Sequence, residues 1–290
     1  MQPPENQPRG MFKQMAQFAA TLALLCCCAA ACAEGPITYS DTVRQDPNER
    51  IYVAKIDLTD PKVSVVVAAG GPDPDGPGPW ETVLRQPSEI AKTLNLDLAV
   101  NAVFFSHLAR DGDAHHYFAG EPAKGMNPVM ADGKFMTTAH AGLALMIDGK
   151  DHATIGTVPN PPPPGATLIV GGSDQVLTAG KITAGEDARA PRTSAGVTAD
   201  GKTLILLVVD GRRDDWSAGF TLKELAAEMK AQGCQDAINL DGGGSSTMVR
   251  KLPNGRFKVI NTPSDGATLM LPLSVERPVA YTLGVRVAAK

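Results

Sequence analysis

The sequence predicts an α+β domain: a twisted, mixed, mostly antiparallel sheet containing one parallel β-α-β crossover, with helices packed on it. Three observations carry that expectation. Short runs of alternating or β-branched apolar residues recur, as in Ile51–Leu58 and Lys62–Ala68. A strong helix-start signal, Thr221-Leu222-Lys223-Glu224, stands between two such runs. The 29 glycines and 23 prolines among 290 residues are about 18% of the chain, above a typical roughly 12%, so long and defined loops are expected. The length supports a sizeable core, and with no visible internal repeat a single domain is favoured.

The first segment reads as a targeting signal. Arg9 and Lys13 precede an apolar run from Phe18 through Ala31, and Ala31-Cys32-Ala33 follows it, the charged, apolar, small-residue order of a secretory leader. Residues 1–33 are therefore expected to be a signal peptide and 34–290 the folded domain. The run is short for a membrane span, which needs about 20 residues, so the mature chain should carry no transmembrane span. Export to the periplasm or the extracellular space follows, with a lipid anchor on Cys27 or Cys32 as the variant ending. Cys26, Cys27, Cys28 and Cys32 lie in this segment, so cleavage leaves Cys234 alone and excludes an intramolecular disulfide.

The strands at Ile51–Leu58 and Lys62–Ala68 are expected to pair around Thr59–Pro61. Pro87–Leu96 reads as a short helix capped by Ser88, with Ile90, Ala91 and Leu94 on one side. Asp97–Val100 enters a strand that stops at Asn101. Ser106–Pro128 is polar, bears histidines and lacks periodicity, so it reads as a surface loop. Gly142–Ile147 is a buried strand turned at Asp148-Gly149, and Pro159 with Pro161–Pro164 makes a stiff connector into the strand-like Thr167–Val170. Thr193–Thr198 and Thr203–Val209 form a hairpin at Asp200-Gly201, where glycine accepts the positive φ of a tight turn. In the helix that follows, Leu222, Leu225, Ala226 and Met229 share a face, and Gly233 stands where a C-terminal cap belongs. Ala237–Leu240 is a strand again, and strand, helix, strand implies a right-handed crossover between parallel strands.

That crossover would set Asp210 and Asp241 at one sheet edge, at carboxyl ends of strands where open α/β sheets bind ligands. Gly242, Gly243 and Gly244 allow close backbone approach and could present N–H groups as an anion nest, while Ser245, Ser246 and Thr247 add hydroxyls. No Lys follows the glycines, so the run is not a nucleotide P-loop. The plainer alternative is a flexible loop with a capping aspartate.

The run Ala237-Ile238-Asn239-Leu240-Asp241-Gly242-Gly243-Gly244-Ser245-Ser246-Thr247-Met248 resembles the signature of the phosphodiester glycosidase family. Ala99-Val100-Asn101-Ala102-Val103-Phe104-Phe105 is similar to the family's Asn-Gly-Gly-Phe-Phe segment. Pro191-Arg192-Thr193, Val209-Asp210-Gly211-Arg212 and Glu276-Arg277-Pro278-Val279 follow in family order, so the resemblance spans roughly Ile37 to Val287. Two departures stand out: Ala102 and Val103 replace glycines, and Ser106–Gly120 is a local elaboration. The resemblance implies hydrolysis of the sugar C1–O bond of a sugar-1-phosphodiester in a glycan or envelope glycopolymer. It implies Asp241 as the carboxylate acting at the sugar carbon or its attacking water, and Asp210 as its acid/base partner or orienter. Arg192, Arg212 and Arg277 are candidate phosphate partners, because a guanidinium grips two oxygens at once. Asn101 and Asn239 are candidates for sugar hydroxyls or, equally, satisfied buried amides, and Glu276 is a candidate third acid.

Two other readings stand beside this one: an exported glycan-binding protein without catalysis, motivated by Ala102 and Val103, and a metal-dependent phosphodiesterase. A net charge of -4 gives no reason to expect a nucleic-acid partner. His107, His115 and His116 share a loop with Asp111 and Asp113 but lack the spacing of a zinc site. No cofactor is required, and Ca²⁺ at Asp111-Gly112-Asp113 or Asp241 is left open.

Overall fold

Antiparallel pairing runs through the whole architecture. The computed structural model describes residues 35–186, 188–265 and 275–288, so the leader and its four cysteines lie outside the described residues. In chain order the elements are β1 (Ile37–Arg44), β2 (Glu49–Asp57), β3 (Val63–Ala69), β4 (Thr82–Val83), α1 (Pro87–Leu94), β5 (Leu98–Asn101), β6 (Phe105–His107) and β7 (Pro122–Gly125). Next come β8 (Val129–Ala131), β9 (Lys134–Phe135), β10 (Gly142–Asp148), β11 (Ala153–Val158), β12 (Ala166–Gly171), β13 (Asp174–Thr178) and β14 (Lys181–Ile182). The rest are β15 (Arg192–Val197), β16 (Thr203–Val209), α2 (Leu222–Ala231), β17 (Asp236–Asn239), β18 (Met248–Lys251), β19 (Phe257–Val259) and β20 (Tyr281–Val287).

A seven-stranded sheet has the order β1-β2-β16-β15-β17-β13-β14, and two five-stranded sheets run β11-β10-β12-β8-β9 and β19-β18-β5-β20-β3. A small sheet of β4, β7 and β6 completes the set. The inward faces of the three larger sheets share one core, with Ile56, Leu206 and Ile238 meeting Leu145, Val170, Val100 and Leu283.

This corrects the expected α+β class. Among the described residues strand accounts for 44% and helix for 9%, with two α-helices, so no continuous helical layer covers the sheets. Nor do any two strands pair in parallel among the described residues, where the one parallel contact is an isolated bridge between Ser264 and Val275. The segment before the crossover folds back as β15, which inserts between β16 and β17 and pairs antiparallel with both, Ser194 lying opposite Leu207 on one side and Asn239 on the other. The inner faces of the three larger sheets are buried against one another, while α2 packs on the opposite face of the seven-stranded sheet and α1 on the β18-β5 pair. A second pairing also differs. β2 and β3 do not form a hairpin: β2 pairs with β1 and β16, whereas β3 pairs with β20 in a separate sheet.

Local signals fare better. Thr221 accepts from the Glu224 N–H and the Glu224 carboxylate accepts from the Thr221 N–H, the reciprocal capping box. Leu225, Ala226 and Met229 of α2 pack on Ile205 and Leu207 of the large sheet and on Phe220, each large side chain contributing about 1.5–3 kcal/mol by burial. Cys234 is a buried part of that cluster. In α1 the N-cap position is Gln86, which makes no side-chain cap, and Ser88 does not serve as the cap residue.

Candidate active site

The antiparallel insertion of β15 is what assembles the site. Because β16 and β17 both run opposite to β15, the carboxyl ends of the first two and the start of the third lie on one edge. That edge carries Asp210, Asp241 and Arg192. The neighbouring sheet closes on it through β5: the Asp241 N–H donates to the Ala102 carbonyl at 2.9 Å, and the Asn101 amide donates to the Asp241 carbonyl.

A cavity of about 710 Å³ opens at this junction, in the size range of small-molecule sites. Asp241, Arg192, Arg212, Asn239, Gly242, Gly243 and Arg277 line it, joined by Phe104, His115, Tyr117, Ala190, Ser264 and Asp265. Asp241 is half-buried, and burial pushes its carboxyl up from 3.8 to about 6 against the opposing pull of Ser245, Arg277, the Gly242 N–H and Arg212. The Gly242 N–H donates to Asp241 Oδ1 at 2.9 Å. The Ser245 hydroxyl lies beside the carboxylate outside strict hydrogen-bond geometry.

The three arginines are held differently. Arg192 donates through Nε to the Phe220 carbonyl at 3.0 Å and through Nη2 to that of Ala188 at 2.9 Å. Arg277 is ion-paired with Asp265 and lies 3.8 Å above the Tyr117 ring. Arg212 is exposed, sits in the left-handed region at φ 63° and engages no side chain or carbonyl among the described residues. Its left-handed backbone is of the kind held at functional positions. Arg213 points elsewhere, toward Trp216.

The triple-glycine turn works by absence of side chains more than by donating N–H groups. The Gly243 N–H goes to Pro191, that of Ser245 to Gly242 and that of Ser246 to Gly243, so most of the expected anion nest is already engaged. A methyl on Gly243 would stand 2.8 Å from the Arg212 guanidinium, and one on Gly244 would collide with Arg277 and Asp265. Gly243 is also at φ 61°, where glycine is favoured. The glycines leave room for guanidinium groups. Ser246 and Thr247 are buried away from the cavity lining.

Several candidates occupy other roles. Asp210 is buried and absent from the cavity lining; its carboxylate accepts from the Thr262 N–H at 2.9 Å, Asn261 Nδ2 at 3.1 Å and Trp216 Nε1 at 3.1 Å. Burial still raises its pKa over the lowering effect of those donors. Asp210 thus anchors the segment that continues to Ser264 and Asp265. Asn101 is fully buried and uses its oxygen on Thr193 and the Thr247 N–H, which makes it a tie between sheets. Asn239 lines the cavity and donates to Ser173 at 2.9 Å, while its amide oxygen is buried without a partner among the described residues. Glu276 accepts from both the N–H and the hydroxyl of Ser88 at 2.6 Å, so it caps α1, as an anion at a helix N-terminus does.

The histidine loop is ordered without a metal geometry. Asp111 and Asp113 face His116, at 2.7 and 3.8 Å, and among the described residues no three His, Cys, Asp or Glu groups cluster as metal ligands. The cavity residues that sequence reasoning missed are Tyr117, Ser264 and Asp265, and His115 is weighed there only as a metal ligand. Asp265 begins another Asp-Gly pair, but the chain has plain turns of that kind at Asp111, Asp132, Asp148 and Asp200, so the dipeptide alone could not single it out.

The fold is antiparallel β among the described residues, and its cavity brings the Asp241 carboxylate together with the guanidinium groups of Arg192, Arg212 and Arg277. The profile of the phosphodiester glycosidase family matches residues 96–286, more than half the chain, and the chain belongs to that family. Among solved structures, it resembles the catalytic domain of zebrafish N-acetylglucosamine-1-phosphodiester α-N-acetylglucosaminidase, auto-inhibited by its pro-peptide. The identity is 23% and the TM-score 0.63, over 87% of this chain and 82% of that one. A putative exported protein of Burkholderia pseudomallei K96243 matches at 18% identity and TM-score 0.57, over 83% of this chain and 74% of that one. A hypothetical protein from Synechocystis matches at 14% and 0.54, over 87% and 62%. At these identities the likeness bears on the fold. A SPbeta prophage-derived uncharacterized protein of Bacillus subtilis (strain 168), YomE, is 37% identical over 95 residues, which are 33% of this chain and 12% of that protein.

Proposed function

We propose that the protein is an exported hydrolase that cleaves the sugar C1–O bond of a sugar-1-phosphodiester in a glycan or envelope glycopolymer. The observation that carries this reading is the cavity itself, where Asp241 stands among Arg192, Arg212 and Arg277. The leaving phosphate is already an anion of low basicity, so charge stabilisation matters more than a strong general acid. Water adds to C1, the C1–O bond breaks, and the phosphomonoester departs with the bridging oxygen. In that scheme Asp241 acts on C1 or on the attacking water, Arg212 takes the phosphate oxygens, and Arg277 and Arg192 add fixed positive charge. Asn239, in the cavity wall, is the candidate partner for a sugar hydroxyl. Asp210 serves by holding the Asn261–Asp265 wall.

Hydrolysis of a panel of sugar-1-phosphodiesters in ¹⁸O-water tests the reaction. Label on the sugar C1 hydroxyl is expected; label on phosphate would mean P–O cleavage and overturn it. Oligosaccharide binding with no turnover on any diester would instead favour a glycan-binding protein, and loss of turnover in EDTA a metal-dependent one. Export is checked by N-terminal mass analysis of protein from an expressing cell, with Glu34 as the expected first residue. A lipidated Cys27 or Cys32 would identify an anchor, and an uncleaved chain in the cytoplasm would sink the export assignment.

A further inference from the structure

The connection between β6 and β7 reaches the cavity through Tyr117 and His115. Its order has an identifiable source. Glu121 is buried, and one oxygen accepts from the Arg110 N–H at 2.7 Å while the other accepts from the Phe118 N–H at 3.1 Å and meets His107 Nδ1 at 3.0 Å. A single carboxylate thus gathers both ends of the loop. Burying it has a cost that only such a full set of donors offsets.

The rings continue inward from that anchor. The His107 side chain is 4% exposed, and its ring lies 4.7 Å from that of Tyr117 at a 32° tilt. Phe105 meets the Tyr117 ring edge-on at 5.9 Å. The Arg277 guanidinium lies over the same ring at 3.8 Å and donates through Nε to Asp265 at 2.9 Å. Arg277 is therefore fixed in its plane by a carboxylate and over its face by an aromatic ring.

We propose that Tyr117 is a positioning residue: packed on His107 over the Glu121 anchor, it holds the Arg277 guanidinium where a phosphate group of the substrate enters the cavity. The inference deepens the glycosidase reading and rests on it for the identity of the anion. An arginine is a good phosphate partner only when its planar donors are held in direction, and stacking on a ring supplies that constraint without consuming a donor. Tyr117 works through Arg277 and needs no contact with the reacting atoms.

The test compares Tyr117→Leu, Tyr117→Phe and His107→Ala with the unaltered protein by three measurements: affinity for inorganic phosphate by calorimetry, kcat and KM on a sugar-1-phosphodiester, and the crystallographic position of Arg277. Tyr117→Leu is expected to weaken phosphate binding and lower kcat/KM by about tenfold each, with the melting temperature unchanged. Tyr117→Phe, which keeps the ring face, recovers most of the loss, and His107→Ala, which removes the ring's support, reproduces part of it. Phosphate affinity equal to the unaltered protein with Arg277 unmoved in Tyr117→Leu would overturn the inference, as would absence of phosphate binding by the unaltered protein. A protein that binds phosphate in this Tyr117-dependent way yet cleaves no sugar phosphodiester would sink the glycosidase reading and leave the positioning role standing.

Discussion

Asp241→Asn should abolish turnover and at the same time stabilise the fold at neutral pH. Burial in the cavity wall raises the Asp241 carboxyl from 3.8 to about 6, in spite of Ser245, Arg277, the Gly242 N–H and Arg212, each of which favours the charged form. The folded protein thus holds this proton more tightly than the unfolded chain does. Its contribution to stability is complete below about pH 4 and is lost as pH rises through about 6. A tenfold difference in proton affinity corresponds to about 1.4 kcal/mol, so at pH 7 the ionised carboxylate costs on the order of 2 kcal/mol, allowing for the partly open cleft. A neutral amide of the same shape avoids that cost. The expected gain is roughly 4–8 °C in melting temperature at pH 7, shrinking to nothing near pH 4, where the aspartate is already neutral. Thermal unfolding at both pH values, with kcat/KM on a sugar-1-phosphodiester, checks both halves. In the unaltered enzyme kcat/KM should fall about tenfold per pH unit below about 6. A variant less stable than its parent at pH 7, or one that still turns over, would refute the assignment of Asp241 as a carboxylate placed at a stability cost for chemistry.

Asp210→Ala should do the opposite, lowering stability by about 2–4 kcal/mol because the Thr262 N–H, Asn261 and Trp216 donors are left buried without an acceptor; urea unfolding measures it. Arg212→Met should leave the melting temperature within a degree or so and reduce kcat/KM by about a hundredfold, since its exposed guanidinium makes no hydrogen bond or ion pair among the described residues. Unchanged kinetics there would remove Arg212 from the phosphate site. Gly243→Ala should cost about 1–2 kcal/mol for the left-handed backbone at φ 61°, and reduce activity further by pressing a methyl against Arg212; comparison of melting temperature with kcat/KM separates the two effects. Glu276→Ala should weaken the start of α1 by about 1 kcal/mol and leave kcat within a few-fold, consistent with a helix cap.

What the sequence by itself determined is local. The capping box at Thr221 and Glu224, the α2 face of Leu225, Ala226 and Met229, and the hairpin turned at Gly201 are all set by hydrogen bonds or periodicities within a few residues. The strand ends carrying Asp210 and Asp241 were legible for the same reason, and the Asp-Gly-Gly-Gly-Ser-Ser-Thr run marked the edge where the cavity opens. Tertiary structure alone decided which distant strands pair and which polar groups remain free. The partner of β3 is β20, more than two hundred residues away, and no alternation within β3 encodes that choice. The same holds for side chains. Glu276 is spent on Ser88, 188 positions distant, and Asp210 on Thr262, 52 positions distant, while Asn101 is consumed by Thr193 and Thr247. A carboxylate or amide is a candidate ligand in sequence whenever its type and turn fit. It is an actual one only when the fold leaves its atoms unsatisfied at a cavity, and hydrogen-bond partners drawn from distant segments settle that.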